Sequence, residues 1–275
     1  MIAVTGVTGR LGGRIARRLA DEGVEQTLVT RSPDRAPRLV GARVAEAEYG
    51  DGESARRALR GVGTLCMVSA SETPDRVARH RAFVDAAAAA GVRHVVYTSF
   101  YGAGPAATFT LARDHWATEE HIRASGMRYT FLRDNLYADF LSLMVGSDDV
   151  LRGPAGDGAV SVVALDDIAE ACTAVLRSPG EHAGTTYDLT GPQSLTLTEV
   201  ATTLSEATGR RVTYHPESLP EAYESRAGYG APRWQLDAWV STYTAIAAGE
   251  MTGLSTAVRD LTGHPPLSLS ELLTG

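Results

Sequence analysis

The stretch that decides the fold is IAVTGVTGRLGG, residues 2–13. A short apolar segment, Ile2–Thr5, has the pattern of a buried strand, and a glycine-rich turn follows it directly. Gly6, Gly9 and Gly12 recur at every third position. This spacing lets the chain turn sharply off the strand and brings backbone amides against a pyrophosphate without an intervening side chain. It also lets the next helix pack closely on the strand.

The context of the glycine loop supports a nucleotide site. The segment Gly12–Asp21 carries apolar residues at helical spacing, so the loop opens a helix whose N-terminus would face the phosphates. The predicted cofactor contacts in the loop are the three glycines together with Thr8, Arg10 and Leu11. The alternative is a glycine-rich turn in a doubly wound fold that binds no nucleotide.

Strand-like and helix-like segments alternate through the first 190 residues. The strands are predicted at Ile2–Thr5, Gln26–Thr30, Ala42–Ala47, Thr64–Ser69, Val92–Ser99 and Arg128–Leu132. This alternation predicts an α/β fold of the Rossmann type, a doubly wound parallel sheet with helices on both faces. We expect a dinucleotide-binding domain of residues 1–190, with residues 138–160 contributing to a cleft. A small, mostly helical substrate lobe is expected for residues 191–275.

Composition narrows the classes of function. The chain has 275 residues, 44% of them hydrophobic, and a formal net charge of -7. Its charges are interspersed, which argues against nucleic-acid or anionic-membrane partners. No apolar run reaches the roughly 18 residues of a membrane span, and the chain opens on a strand rather than a targeting segment. Cys66 and Cys172 lie among apolar residues and fit a reducing, cytoplasmic setting.

The chain contains no lysine, so all 26 basic side chains are arginine. Schiff-base chemistry and a tyrosine–lysine catalytic pair are therefore excluded. The seven histidines are scattered without metal-ligand spacing, and no metal is predicted.

Residues at strand ends indicate which dinucleotide binds. The second predicted strand ends in LVTRS, residues 28–32, where an NAD-selective site usually carries an acidic residue. The guanidinium of Arg31 would instead pair with a 2′-phosphate, so the predicted cofactor is NADPH. Asp51 is placed where a carboxylate could meet the adenine amino group, and Ser69 ends the fourth strand near the cofactor. The alternatives are a solvated surface arginine and polar residues that only serve turns.

Three segments together resemble the NmrA-like branch of atypical short-chain dehydrogenases. They are TGVTGRLGG at residues 5–13, VYTSF at residues 96–100 and DHWATEEHIRASGMRYTFLRDNLYADF at residues 114–140. Within this branch the sequence is most similar to type 2 NAD(P)H:quinone oxidoreductases and triphenylmethane dye reductases. The resemblance implies an NADPH-binding core and a cleft under a small C-terminal lobe, and it leaves the acceptor open.

The resemblance also suggests a catalytic position. Isoflavone-reductase-like relatives place a lysine eleven residues before a glycine that corresponds here to Gly126, and the residue at that position is His115. An imidazole titrates near neutrality, so His115 could donate a proton, or it could only hold a ligand by a hydrogen bond. Glu119 shares its helix face. The alternative is a surface histidine that Glu119 caps.

Further candidates end the fifth and sixth strands, where open α/β sheets bind ligands. Thr98 and Ser99 are expected to border the nicotinamide. The candidate acceptor-binding residues, whose aromatic members could stack on a flat molecule, are Phe100, Tyr101, Asn135 and Tyr137. Phe100 and Tyr137 could equally be ordinary core.

These features predict an NADPH-dependent oxidoreductase that passes hydride to a small conjugated acceptor such as a quinone or a dye. Such a transfer depends on positioning more than on a strong acid, which fits a chain without the tyrosine–lysine pair. Two alternatives remain, an NADP(H)-sensing regulator without turnover and a tailoring reductase in a biosynthetic pathway. The expected partner is a small molecule, and the chain could form a homodimer.

Overall fold

The computed structural model describes all 275 residues. Its strands, in chain order, are β1 (Ile2–Thr5), β2 (Gln26–Thr30), β3 (Ala42–Glu46), β4 (Thr64–Met67), β5 (His94–Phe100), β6 (Arg128–Asp134), β7 (Val150–Gly153), β8 (Ala159–Val160), β9 (Thr186–Leu189), β10 (Leu195–Thr196) and β11 (Thr213–Pro216). Seven of them form the main sheet in the order β3-β2-β1-β4-β5-β6-β9. The registers from β3 through β5 are parallel. The order reverses direction beside β1, which is the position where doubly wound sheets bind ligands.

The helices separate the strands as the alternation predicts. They are α1 (Arg10–Asp21), α2 (Gly52–Ala58), α3 (Arg76–Ala89), α4 (Thr110–Ala124), α5 (Leu165–Arg177), α6 (Leu197–Thr208), α7 (Leu219–Ala227), α8 (Arg233–Ala247), α9 (Ala257–Thr262) and α10 (Leu269–Thr274). Short 3₁₀ segments occur at Pro33–Arg35 and Ala138–Met144. None of the helices combines the length and the apolarity that crossing a bilayer requires.

The chain forms two compact units. The first consists of Met1–Phe100, Asp114–Arg133 and Asp166–Tyr187, and the second of Tyr101–Arg113, Asp134–Leu165 and Asp188–Gly275. The expected division at residue 190 lies close to the last change of unit. Two earlier segments, Tyr101–Arg113 and Asp134–Leu165, nevertheless belong to the second unit. They follow β5 and β6, where the chain leaves the main sheet.

The first unit buries apolar side chains on both faces of its sheet. Leu65 and Met67 of β4 belong to a core cluster that includes Phe83 of α3. Cys66 lies between them in the strand, and its side chain therefore projects to the opposite face. There its Sγ lies 3.5 Å from Sγ of Cys172 on α5. Both faces are thus covered by helices, as a parallel sheet requires.

The second unit has small sheets and well-capped helices. Strand β7 pairs in parallel with β11, and β8 pairs antiparallel with β10. Helices α6, α7 and α10 each begin with a capping box, in which a serine or threonine and a glutamate three residues later satisfy the first backbone N–H groups. These caps let short helices form without long apolar stripes.

A buried ion pair connects two elements of the second unit. Arg226 of α7 donates from Nη1 to Oε2 of Glu217, at 2.8 Å, and from Nη2 to the carbonyl of Arg152 in β7, at 3.0 Å. Its guanidinium carbon lies 5.0 Å from the ring centroid of Tyr243 on α8. The charge is therefore paired, hydrogen-bonded and stacked, which is the condition under which a buried arginine is tolerated.

The packing of α1 on β1 yields a test of the fold. A Cβ built on Gly12 would lie 2.5 Å from the carbonyl oxygen of Gly6 and 2.6 Å from that of Thr5. We expect Gly12→Ala to lower the free energy of unfolding by about 3 kcal/mol, because the neighbouring atoms are backbone and cannot move aside. Denaturant unfolding measures this. Gly180→Ala, with open space around it, is the control, and an equal loss in both variants would contradict the close-packing argument.

Candidate functional site

The glycine loop has the conformation that its sequence predicts. Gly6 lies in the left-handed region with φ of 65°, which a side chain would disfavour. The N–H of Gly9 donates to the carbonyl of Gly6, at 2.8 Å, so the turn is closed by a backbone hydrogen bond. The loop therefore brings bare backbone to the end of β1.

The N-terminus of α1 can bind an anion through its backbone N–H groups. Its N-cap is Gly9, no side chain caps the first turn, and that turn contains no acidic residue. The first N–H groups of a helix need acceptors, and the helix dipole favours negative charge there. This end of α1 therefore fits a phosphate, and the glycine loop holds this end of the helix against β1.

A cavity of about 280 Å³ in the first unit lies at the carboxyl ends of β1, β2 and β4. It is lined by the glycine loop and by residues that follow these strands and β3. The residues predicted from the sequence that line it are Gly6, Thr8, Gly9, Arg10, Leu11, Gly12, Arg31 and Ser69. The uncapped helix and the glycine loop thus fit a dinucleotide phosphate, and Arg31 is an exposed cation on the wall of the same cavity.

The carboxylate on the cavity wall is Glu48 and not Asp51. Asp51 is the N-cap of α2, and its Oδ1 accepts from the N–H groups of Glu53 and Ser54, at 3.0 and 3.1 Å. These bonds lower the pKa of Asp51. Glu48 pairs with Arg79 of α3, at 3.0 Å, and both line the cavity. Asp51 therefore serves as a helix cap and does not line the cavity, whereas Glu48, three residues earlier, does line it.

Thr98 and Ser99 are buried and hydrogen-bonded within the first unit. Oγ1 of Thr98 accepts from the N–H of Ser69, at 3.0 Å, so Thr98 supports a lining residue and does not line the cavity itself. Oγ of Ser99 donates to Glu119, at 2.6 Å. Glu119 also accepts two bonds from Arg133, at 2.8 and 2.6 Å. These contacts are structural, and a direct contact of either residue with the nicotinamide stays a prediction.

His115 is buried and forms hydrogen bonds through both ring nitrogens. Its Nε2 lies 3.0 Å from Nη2 of Arg76, and its Nδ1 lies 3.0 Å from the hydroxyl of Tyr97. Since a guanidinium can only donate, Nε2 must accept and the ring proton must lie on Nδ1. The imidazole is therefore neutral and donates its proton to Tyr97.

The expected titration of His115 near neutrality is wrong for this environment. Burial, and then the cation of Arg76, lower its pKa well below the usual range. The interpretation of His115 as an exposed histidine that Glu119 caps is also wrong, because His115 is only 6% exposed and Glu119 binds Arg133. Proton donation at neutral pH is thus disfavoured, and a role in holding neighbouring groups stays a prediction.

The four candidate acceptor-binding residues fall in different units. Phe100 belongs to the first, where its ring centroid lies 6.1 Å from that of His115. In the second unit, Asn135 is buried and donates from Nδ2 to the carbonyl of Met251, at 3.1 Å.

Tyr101 and Tyr137 also have structural contacts in the second unit. The hydroxyl of Tyr137 donates to Asp134, at 2.7 Å, and the N–H of Tyr101 donates to the carbonyl of Asp134, at 2.9 Å. These contacts assign no acceptor to any of the four residues, and their substrate roles stay predictions.

Sequence reasoning missed several residues of the cavity wall. Six of them follow β3 or β4 within a few positions, namely Glu48, Tyr49, Val68, Ala70, Ser71 and Thr73, and the seventh is Arg79 of α3. Tyr49 is the best defined, because its ring stacks on Phe83 at 4.4 Å and its hydroxyl binds Oγ1 of Thr5, at 2.7 Å, and the carbonyl of Val68. Its position three residues after β3 was a usable signal, since ligands bind beyond the carboxyl ends of the strands.

Comparison with known proteins agrees with this geometry. The model of the NmrA-like family matches residues 1–229. Quinone oxidoreductase 2 of Escherichia coli (strain K12) is 33% identical over 98% of this chain and 96% of its own length. Among solved structures, an NADPH-dependent quinone oxidoreductase from Escherichia coli complexed with NADPH superposes with a TM-score of 0.90, at 32% identity over 100% of this chain and 99% of that one.

A second solved structure supports the same grouping. Citrobacter sp. triphenylmethane reductase complexed with NADP(H) has a TM-score of 0.86 and 32% identity, over 98% of both chains. The Rossmann-type fold and the resemblance predicted from the sequence are confirmed. With the family model covering residues 1–229 and relatives aligned along nearly the whole chain, this protein belongs to the NmrA-like family.

Proposed function

We propose that this protein is an NADPH-dependent oxidoreductase that transfers hydride to a small conjugated acceptor, such as a quinone or a dye. The observation that carries the proposal is the uncapped N-terminus of α1 at a cavity that Arg31 also lines. The relatives that align over nearly the whole chain include quinone and triphenylmethane reductases. When bound, NADPH supplies the hydride, and a quinone that takes up this hydride and one proton becomes a hydroquinone.

The residues of the first unit would bind and orient the cofactor. Backbone N–H groups of the glycine loop and of α1 would hold the pyrophosphate. Arg31 would pair with the 2′-phosphate, with Arg10 on the same wall. We assign to Glu48, in place of Asp51, the contact with the adenine amino group, because Glu48 lines the cavity and Asp51 is used as a cap.

The proton for the product would come from water. His115 is neutral and holds its only ring proton against Tyr97, and the chain has no lysine. Quinones and cationic dyes accept hydride without prior protonation, so binding and orientation suffice for them.

The predicted cytoplasmic location and the predicted homodimer stay predictions.

Turnover tests the proposed activity directly. We expect the protein to oxidise NADPH in the presence of benzoquinones or triphenylmethane dyes, because the site provides cofactor binding and needs no acid. The loss of NADPH absorbance measures the rate, and NADPH without acceptor is the control. Tight NADPH binding without turnover of quinones, dyes and other conjugated acceptors would contradict the proposal and support the regulatory alternative.

Arg31 should set the preference for NADPH. We expect Arg31→Ala to weaken NADPH binding by about 1.5–3 kcal/mol, the contribution of a charge-assisted hydrogen bond, and to leave NADH binding nearly unchanged. Calorimetry with both cofactors measures this. Arg60→Ala is the matched control, since Arg60 is exposed and lies outside the cavity wall. Equal losses for both cofactors would refute the assignment of Arg31 to the 2′-phosphate.

The environment of His115 predicts that the enzymatic activity does not depend on ionisation of this residue. We expect His115→Leu to lower kcat/KM by roughly tenfold, the effect of about one hydrogen bond, because Nη2 of Arg76 loses its acceptor. His115→Gln keeps an acceptor and should stay near the wild-type value.

The pH profile separates this role from acid catalysis. Because burial and the cation of Arg76 lower the pKa of His115 well below its usual value of about 6.5, the ring is neutral at neutral pH and contributes no ionisation there. The pH profiles of both variants should therefore match that of the wild type. Loss of an ionisation near pH 6.5 in His115→Leu would show that the residue acts as an acid.

A further inference from the structure

The loop between β4 and α3 lines the cavity and has no regular structure from Val68 to Thr73. Two buried side chains of α3 hold its middle residue, Ala70. The N–H of Ala70 donates to Nε2 of His80, at 3.0 Å, and its carbonyl accepts from Nε of Arg76, at 2.9 Å. Both polar atoms of one loop residue are therefore bonded to the same helix.

The two side chains that hold Ala70 are themselves held by α4. Arg76 is 4% exposed and contacts Nε2 of His115. His80 is fully buried, and its Nδ1 lies 2.9 Å from Oγ1 of Thr118. That hydroxyl donates to the carbonyl of Asp114, at 2.8 Å. The loop is thus connected through two layers of buried groups to a helix that does not line the cavity.

The protonation state of His80 follows from its partners. Nε2 accepts from an amide N–H and therefore carries no proton, so the ring proton lies on Nδ1 and is donated to Thr118. Burial and the cation of Arg76 lower the pKa of His80 to about 3. The contact with Ala70 is therefore maintained at neutral pH.

We propose that Arg76 and His80 are positioning residues for the cofactor, which fix the peptide groups of Ala70 and thereby place Ser69 and Ser71 against the bound NADPH. Ser69, Ala70 and Ser71 are consecutive lining residues, and Thr98 holds the N–H of the first. Both hydrogen bonds of the Ala70 peptide groups are made by side chains of α3. The inference rests on the proposed NADPH site and adds the residues behind its wall.

Substitutions of two buried histidines separate positioning from general stability. We expect His80→Leu to raise the Kd of NADPH by about tenfold, the effect of about one lost hydrogen bond, with kcat nearly unchanged. His80→Gln offers an acceptor and a donor in place of the two ring nitrogens, so it should restore NADPH binding. Calorimetry without any acceptor gives the Kd, and thermal unfolding of each variant gives its stability.

His94→Leu is the matched control. His94 is also buried and bonded, with Nε2 2.9 Å from Oγ1 of Thr130, and it begins β5 at the end of the sheet opposite to the glycine loop. It should lower the melting temperature as His80→Leu does while leaving the Kd unchanged. An unchanged Kd in His80→Leu, or an equal rise in His94→Leu, would overturn the proposal.

Hydrogen exchange of the unsubstituted protein tests the same contact without a variant. We expect the amide of Ala70 to be protected before NADPH is added, because it donates to a buried imidazole. Rapid exchange of this amide would overturn the proposal even if His80→Leu did not fold. The calorimetry needs only NADPH, and the hydrogen exchange needs no ligand. A failure of turnover with quinones would therefore leave the inference standing.

Discussion

The close approach of α1 to β1 is the constraint on which the site depends. Gly12 leaves no room for a Cβ between the helix and the carbonyls of Thr5 and Gly6, so the first turn of α1 lies directly on the turn that leaves the strand. Because β2 and β4 flank β1 in the sheet, the loops after all three strands open into one cavity. The close contact of Gly12 with the carbonyls of Thr5 and Gly6 thus places the N-terminus of α1 in the same cavity as the residues after these strands.

The electrostatics of this cavity differ from those of the whole chain. The protein carries a formal net charge of -7, yet the wall combines an uncapped helix N-terminus with Arg10 and Arg31. The wall carboxylate Glu48 is neutralised by Arg79. Net charge describes solubility and long-range attraction, whereas a bound dinucleotide responds to the field within a few ångströms. An acidic protein can therefore present a local site for a polyanion.

A feature of the site can be predicted from the sequence when residues close in the chain determine it. The glycine loop and Arg31 are specified by neighbours in the chain, and both line the same cavity. Asp51 was a reasonable candidate by position, but whether a carboxylate caps a helix or faces a ligand depends on where that helix begins. The environment of His115 could not be predicted, because Arg76 lies 39 residues away in the chain and the two meet only in the folded core.

The buried network also restricts the chemistry that the first unit can perform. Arg76 places a buried guanidinium between Ala70 of the loop and His115 of α4. The neighbouring imidazoles of His80 and His115 are held neutral, and each donates its single ring proton to a fixed oxygen. This interior supplies orientation and a buried positive charge, and its two imidazoles are neutral at neutral pH. A simple ketone needs an acid at its oxygen as hydride arrives, whereas a quinone spreads the new charge over a conjugated ring. These buried residues therefore offer no protonated imidazole at neutral pH, which suits the conjugated acceptors proposed above, because such acceptors need no acid.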